Sequence, residues 1–114
     1  MIVAASVLET RIHGSQSLKA KRGVVRSITQ RVRNRFNLSV AEVGGQQTWQ
    51  RAELGLCAVG GDRVHTRGLI ERAIEFIEEL HLAEVVASDI EIVNLPYEPQ
   101  AYGDLSGEEP DPEG

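Results

Sequence analysis

A β-α-β-β-α-β order of elements, two amphipathic stretches each flanked by alternating apolar segments, and turn residues at the junctions predict an α+β sandwich. The expected architecture is ferredoxin-like: a four-stranded antiparallel sheet with two helices on one face. Each right-handed β-α-β crossover puts its helix on the same side of the sheet, and a hairpin joins the two halves.

Ile2 to Ile12 mixes β-branched and small apolar residues and ends in alternation through Leu8, Glu9, Thr10, Arg11 and Ile12, the pattern of a strand buried on one face. His13-Gly14 breaks it, and Ser15 or Ser17 can cap a helix beginning beyond them. From Leu18 the apolar residues Val25, Ile28, Val32 and Phe36 fall at spacings of seven, three and four, one stripe of a helix of about five turns. Residues 38–43 and 48–59 read as the strands of a hairpin turned by Gly44-Gly45-Gln46-Gln47, the second alternating through Ala52, Leu54, Leu56 and Ala58. Asp62 is placed to cap a second amphipathic helix carrying Leu69, Ile70, Ala73, Ile74, Ile77 and Leu80, and residues 83–93 form the last strand.

If Leu8, Thr10, Leu54, Leu56, Ile90 and Ile92 face the helices, the period of two turns Val7, Glu9, Gly55, Cys57, Val59, Glu91 and Val93 to the open side. Val7, Cys57, Val59 and Val93 would then make an apolar patch unusual on a monomer. A homodimer through this face is the expectation.

A chain of 114 residues is one domain's worth, expected over residues 1–94. The last twenty residues hold all four prolines and six acids with no base, an acidic Pro-rich segment with too little apolar surface to offset the entropy of ordering it. Cys57 is the sole cysteine, and no charged stretch followed by an apolar run and a cleavage site opens the chain, so the expected location is a reducing cytoplasm. No apolar run approaches the roughly 20 residues of a membrane span, so no membrane partner is expected.

Charge is sorted by position. Thr10 to Ala41 contains eight basic residues and no acid, whereas Glu71 to Gly114 contains thirteen acids and one arginine. The whole chain is formally −5, yet a run holding Arg11, Lys19, Lys21, Arg22, Arg26, Arg31, Arg33 and Arg35 can meet a polyanion. At roughly 100° per residue, Lys19, Arg22, Arg26 and Arg33 share one helix face within about 60°, Arg31 and Arg35 take the opposite flank, and Lys21 lies beside the apolar stripe where its stem can snorkel. Arginine and lysine supply charge-assisted donors to phosphates and release counterions. The plainer alternative is a solvated flank paired with acids of the second helix and the tail.

Other chemistry is not indicated. His13, His65 and His81 lack ligand spacing and there is no second cysteine, so no metal site or cofactor is expected. Cys57 falls mid-strand among small apolar residues, a packing position rather than a nucleophile. The two Gly-Gly pairs are turn punctuation without the lysine of a phosphate loop. Glu42 and Glu53 are expected to partner Arg11 or Arg51 across strands rather than perform acid–base work. Trp49 reads as a lid on the core. The central strands carry no aromatics, so bases are not expected to stack on the sheet, and backbone and shape recognition of structured RNA by the helix is the expected mode.

The segments Ser17-Leu18-Lys19-Ala20-Lys21-Arg22, Arg33-Asn34-Arg35-Phe36-Asn37-Leu38-Ser39-Val40-Ala41-Glu42-Val43 and Trp49-Gln50-Arg51-Ala52-Glu53-Leu54-Gly55 resemble the YlxP-like family of small bacterial proteins of uncharacterised function. The resemblance implies a ferredoxin-like fold and genes placed beside those of translation initiation and ribosome maturation factors. It brings no catalytic residues. The expectation is therefore a non-enzymatic accessory protein that binds structured RNA or a ribosomal particle through Lys19, Lys21, Arg22, Arg26, Arg33, Arg35 and Arg51. The alternative is a protein-interaction module whose basic helix takes an acidic partner.

Overall fold

A computed structural model describes residues 1–96. The acidic Pro-rich segment expected over residues 95–114 lies outside the described residues apart from Leu95 and Pro96. The elements run β1 (Ile2–Arg11), α1 (Leu18–Arg35), β2 (Ser39–Gly44), β3 (Arg51–Gly60), α2 (Arg63–Leu80) and β4 (Glu84–Asn94). One antiparallel sheet has the order β2-β3-β1-β4 with both helices on one face, the ferredoxin-like arrangement.

Parity in the strands decides which residues meet the helices. Ala4, Leu8, Ala52, Leu54, Leu56, Ala58 and Val40 point inward and pack against Val25, Ile28 and Val32 of α1 and Ile70, Ala73 and Ile77 of α2. Ile90 and Ile92 close this core from the edge strand β4. The helices begin where short polar side chains accept from free backbone donors: Ser17 Oγ from Ala20 N at 3.0 Å, and Asp62 Oδ2 from His65 N at 2.8 Å. His81 ends α2 in the left-handed region at φ 55°.

The hairpin departs from its expected bounds. β3 begins at Arg51 rather than at residue 48, because Thr48 N donates to Gly45 O at 3.0 Å and holds residues 45–48 in a turn. A bulge at Val43 shifts the β2–β3 register between Glu42 and Gly44. Gly45 sits at φ +77°, and a Cβ there would stand 3.1 Å from Arg51 O, so this turn position suits glycine alone. No helix among the described residues is long and apolar enough to cross a membrane.

Candidate functional site

The stripe that buries Val25, Ile28 and Val32 leaves the rest of α1 in solvent, and the helix carries no acid in its first turn. Lys19, Arg22, Arg26 and Arg33 are exposed on one face, as helical spacing requires. From Lys19 to Arg33 this face runs ~21 Å along the axis. Arg33 Nη2 donates to the carbonyl of Val40 at 2.8 Å, which lays the basic face along the β2 edge of the sheet. Among the described residues no carboxylate comes within 4.0 Å of Lys19, Arg22, Arg26, Arg31, Arg33 or Arg35. Pairing with the acids of α2 is thus not what holds these charges; Glu71 of α2 instead pairs with Arg67 on its own helix at 3.1 Å.

The remaining candidates separate. Arg35 turns toward α2, where its guanidinium lies 5.0 Å from the centroid of Phe76 and 5.9 Å from that of Phe36, two rings in edge contact at 5.5 Å. Arg51 opens β3 on the sheet face away from the helices, 3.9 Å from Glu9.

Lys21 does not belong to the surface at all. Its side chain is 0% exposed rather than snorkelling. Nζ donates to Gly45 O at 2.6 Å and forms a buried ion pair with Glu42 Oε2 at 2.8 Å. Glu42 shares the inward parity of Val40 and faces Leu54 across the ladder. An inward carboxylate needs a buried cation, and Lys21 supplies it instead of the expected Arg11 or Arg51. The pair fastens the start of α1 to the β2–β3 turn.

Trp49 is likewise not a lid. It is 52% exposed. Leaving half an indole in water forgoes roughly 2 kcal/mol of burial at about 25 cal/mol per Å². Its neighbours Gln46, Gln47, Thr48 and Gln50 are exposed as well. The loop is nonetheless clamped, with Gln50 Nε2 donating to Ser15 O at 3.2 Å and Ile12 N to Gln50 O at 2.9 Å.

The open sheet face has a different character. Val7 at 50%, Val59 at 63% and Val93 at 47% exposure lie on it as parity demands, and Cys57 is half-buried among them. Around Gly55 the small residues Ala5, Ala41 and Cys57 floor a shallow trough of about 420 Å³ walled by Val7 and Val43. A Cβ on Gly55 would come within 2.9 Å of Val43 Cγ1, so the trough depends on glycine. Glu9, Glu53, Glu84, Asp89 and Glu91 rim this face against Arg11 and Arg51 alone. Net negative charge makes it unsuited to phosphates.

A second groove, of about 440 Å³, lies at the start of β4 between His13, Glu78, His81 and Glu84, with His13 Nε2 2.7 Å from Glu84 Oε1. No three metal-ligating side chains converge among the described residues.

Residues 3–90 match the family described as protein of unknown function, DUF503. The uncharacterized protein YlxP of Bacillus subtilis (strain 168) is 44% identical over 70 residues, 61% of this chain and 76% of that protein. Among solved structures, the de novo designed protein Foldit4 overlaps with a TM-score of 0.47 at 15% identity, covering 84% of this chain and 100% of its own. A crystallised protein named as a putative chlorite dismutase overlaps with a TM-score of 0.48 at 14% identity, covering 92% of this chain and 48% of that one. At these TM-scores neither likeness carries an argument.

Proposed function

The chain belongs to the DUF503 family of proteins of unknown function, and from that premise we propose that it binds structured RNA through the exposed basic face of α1, as a non-enzymatic accessory factor in ribosome maturation or translation. The observation that carries this reading is the set of six exposed cations on one helix without a carboxylate partner among the described residues. Interspersed glutamates would have stabilised the helix through i,i+4 pairs, and α1 has none. Arg33, Arg22, Arg26 and Lys19 present donors along a straight edge, which suits the phosphates of a helical stem and carries little sequence preference.

The test is crosslinking of tagged protein to RNA in growing cells, with Lys19, Arg22, Arg26 and Arg33 all changed to Gln as control. Enrichment of a defined ribosomal RNA region, lost in the variant, supports the reading. Equal recovery from both proteins overturns it and leaves α1 as a surface for an acidic protein or a solvated flank.

The open face supports a second copy as its cover. At about 4.8 Å between strands and ~3.4 Å per residue, the apolar part of four strands spans roughly 500 Å² per copy, about 1,000 Å² in all, the lower limit of a specific interface. Valine walls beside a trough of small residues are self-complementary under a two-fold axis. Two copies present two basic helices, which raises avidity without a new contact.

A further inference from the structure

We propose that Trp49 is a base-stacking residue that takes an unpaired RNA base at the start of α1, while Lys19 and Arg22 hold the flanking phosphates. The inference rests on the RNA reading of α1 and gives its ligand class: a stem interrupted by an unpaired nucleotide. Trp49 is half in water on a loop whose other side chains are amides and a hydroxyl. An apolar docking patch would surround it with further apolar side chains, as the valines of the open sheet face surround one another. A single indole among amides is instead the chemistry that recognises a nucleobase, with the ring for its face and amides for its edge.

The loop's position supplies the second half of the argument. Gly45, at its start, is held by the side chain of Lys21, which lies between Lys19 and Arg22 in α1. Gln50, at its end, is held by the backbone of Ser15. Lys21 lies in the first turn of α1 and Ser15 two residues before its Ser17 cap, so the loop that carries the indole is held at the end of the helix where Lys19 and Arg22 are exposed. Because the loop is already fastened, ordering it on binding costs little.

The test uses the full chain with two RNA hairpins, a fully paired stem and the same stem carrying one unpaired adenosine. Trp49 is the sole tryptophan, so indole emission reports on this residue alone. The bulged hairpin should quench the emission and bind more tightly than the paired stem. Trp49→Ala should weaken the bulged hairpin by about tenfold and leave the paired stem unchanged, while Trp49→Phe keeps most of the affinity. An unchanged urea midpoint in both variants shows that the fold is intact. Equal binding of both hairpins with no quenching overturns the stacking role and leaves the α1 reading standing. No binding of either hairpin overturns both.

Discussion

Lys21→Met removes a charge from the interior while keeping the stem that packs beside Val25. It leaves Gly45 O without its donor at 2.6 Å and Glu42, only 17% exposed, without its cation at 2.8 Å. Breaking one side of a buried pair costs about 3–5 kcal/mol, and the residual water access of Glu42 places this case near the lower end, at ~3 kcal/mol. For a domain of this size each kcal/mol moves the melting temperature by about 4–8 °C, so a fall of roughly 12–24 °C is expected. In urea, with m of about 1–1.5 kcal/mol per M, the midpoint should fall by roughly 2–3 M. Lys21→Met with Glu42→Leu removes both charges and should recover most of the loss, giving a coupling energy of about 2 kcal/mol. A single variant within about 0.5 kcal/mol of the parent would refute the reasoning, since a buried carboxylate cannot lose its cation so cheaply.

Three further outcomes are expected. Folded Lys21→Met, measured well below its melting temperature, should bind a fully paired RNA stem within about twofold of the parent, because Nζ never reaches the surface and contributes no phosphate contact; a tenfold loss for that stem in a filter-binding assay would return Lys21 to the interface. Val59→Asp, at a side chain 63% exposed in the monomer, should leave a folded monomer and weaken self-association by at least about 30-fold in sedimentation equilibrium. An unchanged association constant would remove the open face as the contact between copies. Ser17→Ala deletes the acceptor for Ala20 N at 3.0 Å and should cost about 1 kcal/mol in urea denaturation, whereas no loss would mean that the start of α1 is set by the Lys21 clamp alone.

Much of this architecture is legible in the sequence because each strand carries one buried face. The alternation through Leu54, Leu56 and Ala58 forces Cys57 and Val59 outward, and the structure shows both there. The helical face of Lys19, Arg22, Arg26 and Arg33 comes from spacing alone. Lys21 departs from expectation because its place on the helical wheel, beside the apolar stripe, fits burial as well as snorkelling. The deciding signal lies in the second strand: Glu42 shares the parity of Val40, so a carboxylate points inward and requires a cation, and Lys21 is the one α1 cation beside the stripe. Trp49 departs for a different reason. Alternation extended back through residues 48–50 puts it in the strand, but the Val43 bulge and the Gly45 turn delay β3 to Arg51 and leave the indole on the loop. Bulges insert one residue without a distinctive sequence, so parity beyond them is lost.

The central claim is that the exposed face of α1 contacts phosphates, and the salt dependence of binding to a structured RNA hairpin tests it most directly. Affinity is measured across a range of salt for the parent and for the variant with Lys19, Arg22, Arg26 and Arg33 changed to Gln. With roughly 0.7–0.9 counterions released per contact, loss of four contacts should reduce the slope of log affinity against log salt by about 3 while the urea midpoint stays unchanged. An unchanged slope in the folded variant would contradict the account and place any RNA contact away from this helix.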